Sequence, residues 1–179
     1  MKYSSFWQRL AAVFVDIGLF LPIFALVQWL ENSSRFGAIA LLVPASLLVN
    51  AYPVYFHGRF GQTIGKRFVR IKLIQATGEP AGWREAWLRS SVDIAFAILA
   101  LIAQYIALQT ISDLQYISSG WLERTRLLQS YEPASLSWVY VTSSAWAWSE
   151  LATMLLNKRR RALHDFIAGT VVVQMADTT

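Results

Sequence analysis

Four long apolar segments constrain the fold of this chain more than any other feature. They cover residues 10–30, 36–56, 91–111 and 136–156 and leave little sequence for a separate soluble core. A helix needs about 20 apolar residues to cross the hydrocarbon layer of a bilayer. Backbone groups in hydrocarbon must hydrogen-bond within their own segment, so each segment should be an α-helix. The sequence predicts an all-α membrane protein with four transmembrane helices.

The composition agrees with this class. Of 179 residues, 55% are hydrophobic and only 15% are charged, which is too apolar for a soluble domain of this size. We predict one transmembrane domain over residues 1–179, with helices at about 8–30, 36–56, 83–111 and 136–157. The third helix is placed early because GWREAWLRSSVD already has helical spacing of its apolar residues.

The basic residues are divided unevenly between the connections. Thirteen of the 16 precede the first segment, separate the second from the third, or follow the fourth, and the others are Arg35, Arg124 and Arg126. Cytoplasmic connections carry the excess of Lys and Arg, so both termini are predicted to be cytoplasmic, in a bacterial inner membrane. The basic run KRRR has no interleaved aromatic residues, which disfavours nucleic acid. We expect instead that anionic lipid headgroups contact Lys66, Arg67, Arg159 and Arg160.

Two short segments on the predicted cytoplasmic side have the pattern of β-strands. VRIKLIQ alternates polar and apolar residues and is followed by the turn residues TGEP, and GTVVVQM is rich in β-branched residues. We predict that residues 71–75 pair with residues 170–174 in a small cytoplasmic β-ribbon. Between the second segment and the first strand, GQTIGKR lacks two residues of a phosphate-binding loop, because Phe60 and Arg67 replace the glycine and the hydroxyl residue. Its glycines are expected to form a tight turn.

The sequence offers no catalytic constellation. His164 and Asp165 are adjacent, and neighbours in sequence do not face each other on a helix. We expect His164 to be a hydrogen-bonded interface residue, with proton handling as the alternative. The predicted spans contain no Ser/His arrangement and no H-E-x-x-H motif, and the chain has no cysteine. We therefore expect no catalytic residue, no metal, no cofactor and no enzymatic activity.

Each predicted span carries an acid or an amide at a similar depth. At about 1.5 Å per residue, these groups lie roughly 6–12 Å from the cytoplasmic flank. They are Asp16, Asn50, Asp93 and Glu150. Polar groups in a membrane tend to face the bundle interior, so we expect a shared polar pocket in which Asp16 bonds Asn50, Glu150 or a water. Arg9 is expected to pair with Asp165, and Arg89 to neutralise Asp93.

Three motifs occur in order along the chain: FWQRLAAVFVDIGLF, then GQTIGKRFVRIKLI followed by TGEP, and then KRRRALHDFIAGTVVV. Together they resemble the RDD family of multi-helix membrane proteins over nearly the whole chain. The arginine and two aspartates of the family name would be Arg9, Asp16 and Asp165. Residues 113–137 carry no motif that matches. The resemblance implies a membrane protein suspected of transport, with cation/proton exchange suggested for some members.

Two functions remain open at this point. In the first, the polar pocket transports a small cation or a proton. In the second, the protein is a non-transporting membrane scaffold or assembly partner, whose polar residues only hold the helices together at about 0.6 kcal/mol per interhelical hydrogen bond. Four helices enclose a narrow conduit, which favours either a homo-oligomer or the scaffold.

Overall fold

The computed structural model describes residues 2–175, which are mostly helical. The elements are α1 (Phe6–Ser33), α2 (Arg35–Phe60), α3 (Ile64–Phe68), β1 (Ile71–Gln75), α4 (Trp83–Thr110), α5 (Asp113–Ser118), α6 (Trp121–Tyr131), α7 (Trp138–Leu156), α8 (Leu163–Ile167) and β2 (Thr170–Gln174). They form two compact units. Unit 1 comprises the described residues of Met1–Phe20, Asn50–Val92 and Ala145–Thr179, and unit 2 comprises Leu21–Val49 and Asp93–Ser144.

Three helices, α1, α2 and α4, are long and apolar enough to cross a membrane. Only 6%, 11% and 17% of their most apolar windows are buried inside the protein, so most of these apolar side chains face outward. An outward apolar face is stable when the surrounding solvent is hydrocarbon. The fourth predicted span, α7, is a helix of 19 residues, but its sequence does not reach the same hydropathy. Three spans are therefore found by length and composition, and the four-span count stays a prediction.

The predicted β-ribbon is present in unit 1. β1 and β2 pair antiparallel from Ile71↔Gln174 to Gln75↔Thr170, which confirms both strands and their partners. An isolated two-stranded ribbon is only marginally stable in water. Here Ile71, Leu73 and Val172 are fully buried and pack with Ala12 of α1. The N-terminal segment lies against the same ribbon, because the Ser4 amide donates to the Val172 carbonyl at 3.0 Å.

The GQTIGKR connection has two parts with different roles. Gly61 has a φ of +69°, so the chain leaves α2 through a turn of the kind that the sequence predicts. Thr63 then caps α3, and its hydroxyl accepts a hydrogen bond from the Lys66 amide at 3.2 Å. Gly65 lies within α3 and against α1, where a Cβ atom would overlap the Ala12 carbonyl oxygen. The second glycine is therefore needed for close approach of α3 to α1, which the sequence analysis did not predict.

The segment at 113–137 in unit 2, which carries no matching motif, contains two short helices, α5 and α6. Ser112 and Gln115 form a capping box that begins α5. Tyr116 packs with Leu108 and Ile111 in the core of this unit. Arg124 is also buried, and its Nε donates to the Tyr116 carbonyl at 2.9 Å. These contacts hold the two helices in place although their sequence matches no motif.

The contact at Gly65 gives a first prediction. Gly65→Ala should lower the free energy of unfolding by about 1–3 kcal/mol, because the added methyl group would meet the Ala12 carbonyl and lie 2.8 Å from Asp16 Cγ. Thermal unfolding in detergent, followed by circular dichroism, measures the change. The matched control is Gly18→Ala, since a Cβ at Gly18 meets no atom within 4 Å. Equal melting temperatures for the two variants would contradict the close approach of α3 to α1.

Candidate functional site

A buried ionic cluster in unit 1 joins α1, α4 and α8. The Asp165 side chain is fully buried, and Arg9 Nη1 donates to its Oδ2 at 2.9 Å. Arg89 Nη1 donates to the other carboxylate oxygen, Oδ1. The Ala162 amide also donates to Oδ2, at 3.0 Å, and so caps α8. The predicted pair between Arg9 and Asp165 is confirmed as a contact, and Arg89 is an additional member. We call Arg9, Arg89 and Asp165 the arginine–aspartate cluster.

The electrostatics keep Asp165 ionised. Burial by itself raises the pKa of this carboxyl, but the positive charges of Arg89 and Arg9 and the contact with His164 hold the pKa well below its usual range. Thr170 Oγ1 adds a hydroxyl 3.3 Å from Oδ1. A carboxylate with this many donors does not readily take up a proton. Asp165 is therefore suited to fastening three elements rather than to carrying protons.

Arg89 has a partner that the sequence did not indicate. Its Nη1 binds Asp165, and the expected neutralisation of Asp93 one turn later in the same helix stays a prediction. Asp93 belongs to unit 2, whereas Asp16, Asn50 and Glu150 belong to unit 1. Spacing along a helix identified a near partner, but it cannot anticipate a partner supplied by a segment 76 residues away.

The carboxylate of Asp16 is held by three donors from α2 and the segment that follows it. Tyr52 donates its hydroxyl to Oδ1 at 2.6 Å, and the Gly65 amide donates to the same oxygen at 2.7 Å. Thr63 Oγ1 donates to Oδ2 at 2.7 Å. The sequence predicted Asn50, Glu150 or a water as the partner. The three donors found here are different groups, because depth along the helices does not indicate that α3 folds back onto α1.

Glu150 of α7 is paired with His164 of α8. Its Oε1 contacts His164 Nδ1 and also accepts a hydrogen bond from the His164 amide at 3.3 Å. The expectation that His164 is hydrogen-bonded is confirmed. Burial and the nearby Arg89 lower the pKa of His164, while Glu150 and Asp165 oppose that shift. His164 Nε2 is 3.8 Å from Asp165 Oδ1, which is too long for a hydrogen bond.

Lys66 also differs from its expected role. Its Nζ lies 2.6 Å from His57 Nε2, so the side chain is directed at a protein partner rather than at lipid phosphates. Burial and the positive charge of Arg89 lower the pKa of Lys66 well below its ordinary value. Arg67, Arg159 and Arg160 are exposed, and their contact with lipid stays a prediction.

A pocket of about 270 Å³ lies within unit 1 beside these groups. Its polar lining comprises Arg9, Lys66, Arg89, Glu150 and His164. Its apolar wall comes from α1 and α7 and includes Leu10, Val13, Leu151 and Met154. We call this cavity the basic pocket. Among residues 2–175, no group of three or more His, Asp or Glu side chains is placed to hold a metal ion.

Membrane-length apolar helices that carry buried ion pairs define an integral membrane protein of the multi-helix class. A model of the RDD family matches residues 3–169. The chain therefore belongs to the RDD family, as its motifs indicated, and the arginine and the two aspartates in those motifs all have buried or half-buried polar partners. No curated protein and no solved structure matches the chain.

Sequence reasoning missed Tyr52, Thr63 and His57. One signal for Thr63 was available, since Thr is among the residues that favour a helix N-cap. Tyr52 and His57 had no such signal, because aromatic residues near a span end more often mark the membrane interface.

The arginine–aspartate cluster gives a second prediction. Asp165→Asn should destabilise the protein by about 3–5 kcal/mol, because it leaves two buried guanidinium groups without a counter-charge. The measurement is the loss of folded protein in detergent with rising temperature. The control is Asp113→Asn, which breaks the pair with Arg35. Because the Asp113 side chain is 69% exposed in that pair, this change should cost less than about 1 kcal/mol. A larger loss in the control than in Asp165→Asn would argue against the cluster as the main fastening.

Proposed function

We propose that this RDD protein crosses a bacterial inner membrane four times, has both termini in the cytoplasm, and moves protons through the basic pocket. The observation that carries the proton assignment is the direct contact between Glu150 and His164 in the pocket lining. The contact of basic surface residues with anionic lipid, and assembly into a homo-oligomer, are further parts of the same proposal.

The β-ribbon supports the number of spans. β1 precedes α4 and β2 follows α7, and two strands can pair only on the same side of a membrane. The chain must then cross the membrane an even number of times between them. Because α4 is long and apolar enough to span, α7 is the natural second crossing despite its lower hydropathy. The bridge between Tyr3 and Val173 extends the same reasoning to α1 and α2.

The charges support the orientation. All 13 basic residues of the predicted cytoplasmic connections fall in unit 1, and unit 2 contains only Arg35, Arg124 and Arg126. The ribbon also belongs to unit 1. By the positive-inside rule, the connections gathered in unit 1 should be cytoplasmic.

Protons fit the basic pocket better than metal cations do. The pocket lining has three permanent or potential cations, Arg9, Lys66 and Arg89, and a single carboxylate, Glu150. A bound metal ion would find only one carboxylate ligand among these lining residues, beside three basic side chains. A Glu/His pair can instead exchange one proton between two groups whose usual pKa values lie on either side of pH 5–6. Asp16 and Asp165 are already engaged by several donors, so Glu150 is the carboxylate left for this role.

Cysteine labelling tests the topology, and the chain has no native cysteine. Single variants Thr77→Cys, Ser118→Cys and Lys158→Cys each replace an exposed residue. Ser118→Cys should react with a membrane-impermeant maleimide in intact cells, and the other two should react only after permeabilisation. Labelling of Lys158→Cys in intact cells would contradict the crossing by α7.

Proton flux tests the activity. Purified protein in liposomes that contain a pH-sensitive dye should relax an imposed pH gradient faster than empty liposomes, and Glu150→Gln should reduce that rate by at least about tenfold because the proton acceptor is lost. Glu123→Gln is the matched control, since Glu123 is exposed on α6 and distant in sequence from the pocket lining. A folded Glu150→Gln protein with the parent rate would refute the proton assignment.

The second candidate is a non-transporting scaffold. It is favoured by the saturation of Asp16 and Asp165 with hydrogen-bond donors, which is what a purely structural role requires. If the parent protein moves no protons while Asp165→Asn fails to fold, the scaffold is the better description.

A further inference from the structure

The lining of the basic pocket contains a donor that the protein does not use. Arg9 is 8% exposed, and its Nη2 has no hydrogen-bond partner among the described residues. His164 Nε2 is also buried and unpartnered within that part of the chain, and it donates only when the imidazole is protonated. Buried donors without partners cost about 1–3 kcal/mol each, so a site that keeps them is suited to an acceptor from outside the protein.

The charge around the pocket points to an anion. Arg9, Lys66 and Arg89 line it, and Glu150 is the one carboxylate among its lining residues. Asp165 lies behind and bridges the two arginines, and both oxygens of Asp16 accept hydrogen bonds from Tyr52, Thr63 and Gly65. The crowding of cations contributes to the lowered pKa of Lys66, to which Arg89 and Arg9 both add repulsion after burial. An anion in the pocket would relieve that repulsion.

The rest of the lining indicates the kind of anion. Leu10 and Val13 of α1 and Leu151 and Met154 of α7 form an apolar wall beside the basic groups. A volume of about 270 Å³ equals that of about nine water molecules, which is small for a whole lipid and sufficient for a short organic anion. The ligand should therefore combine one oxyanion group with a short apolar tail.

We propose that the basic pocket binds a small amphiphilic carboxylate, with its oxyanion at Arg9 and Lys66 and its apolar tail along α1 and α7. This inference rests on the proposed function, because it names a ligand for the pocket through which the protons would move. Protonation of Glu150 removes the negative charge from the pocket lining and so strengthens the binding of the anion.

Binding is measured by isothermal titration calorimetry on the purified protein in a neutral detergent. The probes are hexanoate, 1-hexanol with the same tail and no charge, hexylammonium with the opposite charge, and inorganic phosphate without a tail. Hexanoate should bind most tightly. Equal binding of hexanol or hexylammonium would overturn the anion assignment, and equal binding of phosphate would overturn the requirement for a tail. Loss of hexanoate binding in micelles doped with an anionic phospholipid would assign the pocket to a lipid phosphate instead.

Two variants with opposite expected signs locate the site. Lys66→Gln should weaken hexanoate binding about tenfold or more through loss of a charge-assisted hydrogen bond, and Arg67→Gln, the exposed neighbour, should leave binding unchanged. Glu150→Gln should tighten hexanoate binding, although the same variant should lose proton flux. Weaker binding in Glu150→Gln, or no difference between Lys66→Gln and Arg67→Gln, would overturn the proposal. Hexanoate binding without proton flux in the parent protein would refute only the proposed function.

Discussion

The buried contact of one carboxylate with two arginines underlies the organisation of unit 1. Removing Asp165, Arg9 and Arg89 from water is costly, and the cost is offset only when each charge has a counter-charge and hydrogen bonds of good geometry. Asp165 meets this condition through both arginines, the Ala162 amide and Thr170. Because these groups belong to different elements, their contact fixes α8 and the start of β2 against α1 and α4.

The position of α8 in turn determines the chemistry of the pocket. His164 precedes Asp165, so anchoring the aspartate places the imidazole beside Glu150 of α7. On another side, α3 approaches α1 closely at Gly65, and this approach directs the Lys66 side chain to His57. The contacts of Asp16 and of Asp165 thus position elements that line the pocket, and Arg9 in that lining retains an unused donor.

The sequence predicted the features that depend on local periodicity. The long helices and both strands of the ribbon were available from apolar patterning and β-branched runs. The contact between Arg9 and Asp165 was expected instead from their opposite charges on the predicted cytoplasmic side. The partners of Asp16, Lys66 and Arg89 were not, because each depends on a connection that folds back onto a helix. The depth of a polar group along its helix predicts which polar groups lie at the same level in the membrane. It does not predict which residue of a neighbouring connection will bind them. The low hydropathy of α7 has a related cause, since its Ser, Thr and Glu residues include groups that bond within unit 1.

The ribbon also has a consequence for how the protein is assembled. Ile71 and Leu73 are synthesised before α4, whereas Val172, which covers them, is made only after α7. Pairing over so long a stretch of intervening chain is slow, because the entropy of closing the loop must be overcome before any contact forms. During synthesis β1 therefore lacks its partner strand until β2 has been made. Until the ribbon closes, β1 presents a strand edge that is open to aggregation.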